Sequence, residues 1–230
     1  MGVLAIIPAR GGSKRIPGKN TKLFLGEPII SYSIKLALAS DLFEEVMVST
    51  DNDEVAGVAS NTGASVPFKR SKINSNDHAT LADVIVEVLL QYKKQDKEFD
   101  TVCCILPTAA LLTQKRLIEA FHKFKEEDYT SLVPVMRFAY PIQRALKDHN
   151  GLLEMREEKY LRSRSQDMEI FYHDAGQFYW INTKKFLQEK TIFTSKTGYL
   201  ELKETEVQDV DTLIDWEMLL VKYNFLHTIK

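Results

Sequence analysis

The chain opens on an apolar run, Val3-Leu4-Ala5-Ile6-Ile7-Pro8-Ala9, that passes directly into Arg10-Gly11-Gly12-Ser13-Lys14-Arg15-Ile16-Pro17-Gly18-Lys19-Asn20. The run has the length of a buried strand, and the glycines and Pro17 that follow cannot continue it. A loop with four cations (Arg10, Lys14, Arg15, Lys19) therefore sits at the end of a strand, where open α/β sheets bind ligands. Glycine lets backbone N–H groups come close to an anion. The segment predicts a phosphate-binding loop, although neither common form is present. Gly12 to Gly18 is one residue too long for a Walker A motif, Lys19 is followed by Asn20, and no Gly-x-Gly-x-x-Gly occurs.

Strand and helix patterns alternate behind that loop. Pro28 reads as a first helical residue, with Ile29, Tyr32, Ile34, Leu36 and Leu38 carrying a helix to about Ser40. Glu45 to Asp51 reads as a strand, Asp53 to Asn61 as a helix closed at Gly63, and Ala64 to Phe68 as a short strand. Leu81, Val84, Ile85, Val88, Leu89 and Tyr92 recur at helical spacing over about 79–94. A strand holding Cys103 and Cys104 follows, then a helix with Leu117, Ile118, Phe121 and Phe124, then a strand near Thr130 to Val135. This order predicts a doubly wound, mostly parallel α/β sheet with helices on both faces.

Residues 137–176 break the rhythm with charged, turn-rich sequence and are expected to be an insertion within a single domain spanning 1–230. Strand pattern returns at Phe178 to Ile181. A last helix is expected from about Thr212 to Tyr223, with Leu213, Trp216 and Leu220 on one stripe.

Composition narrows the classes of partner. The apolar fraction of 44% can build a core, and a net charge of −2 offers no basic field for nucleic acid or an anionic membrane. No stretch approaches the roughly 20 apolar residues of a membrane span, and the first apolar run is too short for a secretion signal. Cys103 and Cys104 are neighbours that a strand turns to opposite faces, so they read as buried apolar residues of a protein from the reducing cytoplasm. The five histidines fit no zinc spacing, and no Gly-x-Ser-x-Gly elbow is present.

Asp209-Val210-Asp211 is the second informative site. In extended backbone the two carboxylates share one face, with Val210 turned to the core. Such a pair suits Mg²⁺, which takes one or two carboxylates beside phosphate oxygens and water. Asp211 could equally be the N-cap of the last helix. Arg70 to Thr80 reads on its own as a solvated loop with a helix cap.

PARGGSKRIPGKN resembles the signature loop of the CMP-sugar synthetases, cytidylyltransferases of sialic-acid-like sugars and of 3-deoxy-octulosonate. The likeness covers about residues 3–220 and implies a Rossmann-like nucleotidyltransferase that uses CTP and Mg²⁺. Arg10 and Lys19 would then neutralise the triphosphate, with Ala9, Gly11, Gly12, Ser13 and Asn20 around the nucleotide. Asp209 and Asp211 would hold the metal. Arg70, Asp77 and Thr80 match a nucleotide-holding pattern of the family, with Ser71 in place of its proline and Asn76 in place of its serine.

Leu106-Pro107-Thr108 resembles a Gln-Pro-Thr strand end, but Leu106 stands where a glutamine lies near cytosine. A leucine cannot hydrogen-bond a base edge, so cytosine would be read by other groups.

Arg162-Ser163-Arg164-Ser165-Gln166-Asp167, Tyr172-His173-Asp174-Ala175-Gly176-Gln177-Phe178-Tyr179-Trp180 and Pro141-Ile142-Gln143-Arg144 are similar to the branch that takes pseudaminate. That likeness implies Gln143, Arg144, Arg162, Arg164, Gln166, Asp174 and Gln177 as sugar-site residues. It also implies a homodimer made through 137–176. Legionaminate and N-acetylneuraminate are the alternative acceptors, octulosonate fits the loop least well, and a non-catalytic nucleotide-binding module is the rival outside enzymes.

Overall fold

The computed structural model describes residues 2–228. β1 (Val3–Pro8) leads through the basic loop to a small hairpin, β2 (Leu23–Phe24) and β3 (Glu27–Pro28), and then to α1 (Ile29–Ala39). There follow β4 (Glu45–Ser49), α2 (Asp53–Thr62), α3 (Leu81–Lys93), β5 (Thr101–Ile105), α4 (Gln114–Glu126) and β6 (Ser131–Arg137). An exposed hairpin, β7 (Leu146–His149) and β8 (Leu152–Met155), and short 3₁₀ turns precede β9 (Tyr172–Asp174). The chain ends with β10 (Phe178–Asn182), α5 (Thr183–Glu189), β11 (Thr197–Glu201) and α6 (Leu213–Thr228).

The main sheet runs β11-β6-β10-β5-β1-β4, with β9 paired to β6. β4, β1, β5, β6 and β11 share one direction, whereas β10 and β9 are antiparallel to their neighbours. After β1 the chain steps to β4 on one side and then to β5 on the other. The resulting crevice lies at the carboxyl ends of β1 and β5.

Alternation along each strand divides the core. Ala5, Ile7 and Cys103 pack on one face, with α1, α2 and α4, and Leu4, Ile6 and Cys104 pack on the other, with α3. Both cysteines are buried and free, and burial pushes the Cys104 thiol up to about 12. They are core residues, as the sequence suggested. Trp180, fully buried, stacks on Phe43 and packs against Phe121.

Three boundaries depart from the sequence reading. Pro28 belongs to the hairpin and α1 starts at Ile29. Ala64 to Phe68 forms a single bridge, Met47 to Ser65, instead of a strand, because Pro67 has no N–H for a ladder. α6 runs on to Thr228 and buries Leu219, leaving Leu213 exposed.

Candidate active site

A cavity of about 560 Å³ opens at the crevice between β1 and β5. Its lining includes Arg10, Ser13, Lys14, Arg15, Lys19 and Asn20 from the loop, Leu106 and Thr108 beyond β5, and Asp209 and Asp211 from the segment before α6. The structure thus brings together residues 191 positions apart, with Lys19 Nζ donating to the Val210 carbonyl at 2.6 Å.

The loop is held from beneath. The Gly11 N–H donates to Asp51 Oδ1 at 3.0 Å, and a Cβ at Gly11 would come within 2.8 Å of Asn52. Any side chain there would push the loop away from Asn52, the N-cap of α2. Ala9 is buried under the loop, its N–H donating to the Ser49 carbonyl. Asn20 is buried and donates through Nδ2 to the Arg10 carbonyl at 2.9 Å. Its Oδ1 finds no partner among the described residues, so it can accept from a ligand hydroxyl or amine.

Charge within the cavity is paired across it. Asp77 takes Arg10 Nη1 at 2.8 Å and also Lys14, and Asp211 takes Arg15 Nη2 at 2.8 Å. Lys19 Nζ is 3.9 Å from Asp211, and burial holds its ammonium below the usual lysine range, with Asp211 and Asp209 partly offsetting that effect. Asp209 keeps solvent access on the cavity wall, and partial desolvation there, together with the Asp211 charge, holds its carboxyl above the usual range. Val210 between them is fully buried against Ile16, Phe24 and Leu219.

The alternative role for Asp211 falls away on geometry. Thr212 and Asp215 cap α6 reciprocally: Thr212 Oγ1 accepts from the Asp215 N–H, and Asp215 Oδ2 accepts from the Thr212 N–H. The Asp211 carboxylate faces Arg15 instead. Two carboxylates on one wall, one of them resisting ionisation through desolvation and its neighbour's charge, are a hard-oxygen donor pair that suits a divalent cation. Among the described residues no group of three or more His, Cys, Asp or Glu is gathered for a metal, so phosphate oxygens and water would complete the coordination.

Other residues singled out in the sequence lie elsewhere. Arg70 is buried, with Nε donating to Ser49 Oγ at 3.0 Å and Nη2 to the Ser49 carbonyl, so it braces the end of β4. Thr80 caps α3 in a reciprocal pair with Asp83. Gln177 is buried and donates to the Glu206 carbonyl, and Asp174 accepts from Tyr179 Oη at 2.8 Å and from the Gly176 N–H. Gln143 is buried and donates to the Glu169 carbonyl. Gln166 lines a separate hollow with Arg137 and Phe171, and Arg162 and Arg164 line another, where Arg164 pairs with Asp167 at 2.8 Å. None of these sugar candidates, nor Arg144, lines the main cavity in this chain.

Two positioning contacts had no signal in the sequence beyond being polar residues near element ends. One is Asp51 under Gly11. The other is Arg116 of α4, whose Nε and Nη2 fork onto Glu206 at 2.9 Å each, three residues before Asp209. Arg116 holds the Glu206 carboxyl below its ordinary 4.5. The pair is largely buried, and Arg116→Met is expected to cost about 1.5–3 kcal/mol of stability. Because the folded value is depressed, the carboxylate stabilises the fold above pH 4.5, and that contribution is lost as pH falls through the folded value. Acid unfolding followed by circular dichroism should therefore be steeper below pH 4.5 in the wild type than in Glu206→Gln.

A strand-end basic loop facing a carboxylate pair across a cavity of about 560 Å³ is an arrangement that suits a polyphosphate ligand. The chain belongs to the cytidylyltransferase family, whose model matches residues 4–224. A pseudaminic acid cytidylyltransferase of Campylobacter jejuni is 43% identical over 225 residues, covering 97% of each chain. A CMP-N,N'-diacetyllegionaminic acid synthase of Legionella pneumophila is 34% identical, over 95% of this chain and 94% of that one. A structure of CMP:2-keto-3-deoxy-manno-octonic acid synthetase with CTP shares the fold, with a TM-score of 0.69 over 100% of both chains at 17% identity.

Proposed function

We propose that this cytidylyltransferase transfers CMP from CTP to the anomeric hydroxyl of pseudaminate, a nine-carbon keto sugar acid, and releases pyrophosphate. The observation that carries the reading is the single cavity in which the cations of 10–19 face Asp209 and Asp211. The choice of sugar rests on the resemblance of the RSQD and HDAGQFYW segments and on the 43% identity to the Campylobacter jejuni protein.

In the chemical step the anomeric hydroxyl gives up its proton to water as its oxygen attacks the α-phosphorus, the bond from that phosphorus to the bridging oxygen breaks, and pyrophosphate leaves in line. Such chemistry depends on positioning and on neutralising charge. Arg10 and Lys19 neutralise the triphosphate and the leaving group, and Ser13 and the backbone of Gly11 and Gly12 support it. The triphosphate displaces Asp77 from Arg10 and Lys14. Asn20 Oδ1 takes a hydrogen bond from the nucleotide. Asp209 and Asp211 would hold Mg²⁺, which when bound polarises the α-phosphate.

Arg162, Arg164 and Gln166 are proposed for the sugar carboxylate and acyl-amino groups, with residues 137–176 of a homodimer completing that side of the site. The exposed Leu146, Leu152 and Leu153 of the β7–β8 hairpin support such a contact. Two buried free cysteines support a reducing, cytoplasmic setting. No described helix is long and apolar enough to cross a membrane.

The test is pyrophosphate release from CTP and Mg²⁺ with pseudaminate, legionaminate or N-acetylneuraminate offered separately. Release with pseudaminate alone is the expected result. Release only with another of the three would reassign the sugar, and CTP binding without release would make the chain a nucleotide-binding module.

A further inference from the structure

α6 is apolar on two faces, and the fold uses only one. Leu219 is buried, and Trp216, Leu220, Tyr223 and Leu226 pack against the core that holds Phe24. On the opposite side Leu213, Ile214, Met218, Val221 and Phe225 are between 43% and 71% exposed. Glu217 is the one Asp, Glu, Lys or Arg among the exposed positions of the helix, which also include Asn224, His227 and Thr228. A solvated helix face ordinarily carries charge, and a helix apolar all round is ordinarily covered. Ile214, Met218, Val221 and Phe225 follow one another at intervals of four, three and four, the seam of a coiled coil.

We propose that this seam is a contact between two copies of the chain, packed antiparallel about a two-fold axis passing between Met218 and Val221. The register is self-complementary, as such an axis requires. Ile214 meets the partner's Phe225, and Met218 meets the partner's Val221. On one flank Asp215 comes opposite the partner's Lys222, and symmetry repeats that pair. Lys222 Nζ spends one of its three N–H groups on the Val207 carbonyl at 2.7 Å, leaving two for the partner. The antiparallel arrangement also opposes the two helix dipoles, whereas a parallel one aligns them. This surface is distinct from the β7–β8 hairpin. If both contacts form, the two axes combine into a tetramer.

Sedimentation equilibrium of the full chain tests this. Met218→Asp and Val221→Asp each place a carboxylate in the seam, and each should raise the dissociation constant more than about tenfold and halve the mass seen at micromolar concentration. Both side chains are exposed in the single chain, so an unchanged far-ultraviolet circular dichroism spectrum will show that the fold survives. The halving should also occur in a Leu152→Asp, Leu153→Asp background, which separates this contact from one through the hairpin.

Orientation is read by disulfide trapping, since Cys103 and Cys104 are buried and do not compete. The double variant Met218→Cys, Val221→Cys should give a covalent dimer on mild oxidation, and Ile214→Cys alone should not. A wild-type chain that stays monomeric, a mass unchanged by Val221→Asp, or efficient self-trapping of Ile214→Cys would overturn the proposal.

Discussion

Asp211→Ala is expected to lower CMP transfer by roughly a thousandfold or more while leaving the fold intact. The carboxylate lies on the cavity wall beside Asp209, and its side chain is 41% exposed. Its ion pair with the still more exposed Arg15 is worth no more than about 1 kcal/mol. It does not cap α6, because Thr212 and Asp215 do so between themselves. Unfolding midpoints of the variant and wild type should therefore agree closely.

Binding of CTP without metal gives a second readout. Removing Asp211 takes a negative charge off the wall that faces the triphosphate and frees Arg15, so metal-free CTP should bind no more weakly than to wild type. Rapid turnover by Asp211→Ala would end the assignment of the carboxylate pair. A variant that has lost both turnover and its cooperative unfolding would show the role of Asp211 to be structural.

Gly198→Ala should produce the largest loss of stability from the smallest change. Gly198 lies on β11, paired to Leu132 of β6, and the Tyr129 ring lies directly over it. A Cβ there would sit 2.1 Å from Tyr129 Cδ2 and 2.2 Å from Cε2, so the ring or the strand must move. Overpacking of this kind costs about 1–3 kcal/mol and occasionally more. With three ring atoms within 2.6 Å, the upper end is expected. For a chain of this size, ~3 kcal/mol lowers the thermal midpoint by roughly 6–12 °C.

Gly57→Ala supplies the contrast. Gly57 is inside α2, exposed, with nothing within 4 Å of a new Cβ. Alanine there should stabilise by about 0.5–1 kcal/mol. The same substitution thus changes sign with the local space, and calorimetry of the two variants reads both. Equal midpoints for Gly198→Ala and wild type would mean that Tyr129 is not held against β11.

Much of the fold was legible because two periodicities carry it. β1, β4, β5 and α3 announced themselves through runs of buried strand and through apolar residues at helical spacing, and the structure places them within a few residues of the expected bounds. The failures have specific causes. Ala64 to Phe68 has strand composition, but Pro67 removes a ladder donor and only one bridge forms. In α6 the sequence Leu213-Ile214 to Leu219-Leu220-Val221 offers apolar residues on nearly every side, so periodicity could not choose the buried stripe.

The basic side of the cavity was legible for a local reason. A strand, a glycine-rich turn and four cations are consecutive in sequence, and Asp209 and Asp211 report their shared face through spacing alone. The ion pairs that cross the cavity, Arg10 with Asp77 and Arg15 with Asp211, join distant segments and leave no mark on local pattern. The same limit applies to Arg162, Arg164 and Gln166. They lie on short turns in an irregular stretch, where no period fixes a direction, and the structure sets them in hollows of their own.

The most direct measurement is ³¹P nuclear magnetic resonance of a stoichiometric mixture of the protein's two proposed substrates, CTP and pseudaminate, with Mg²⁺ and catalytic enzyme, followed by mass spectrometry of the product. The expected result is loss of the three triphosphate signals, with one new phosphodiester signal from CMP-pseudaminate and one signal from pyrophosphate in equal molar amount. Intact CTP after prolonged incubation, or free CMP without the sugar attached, would contradict it.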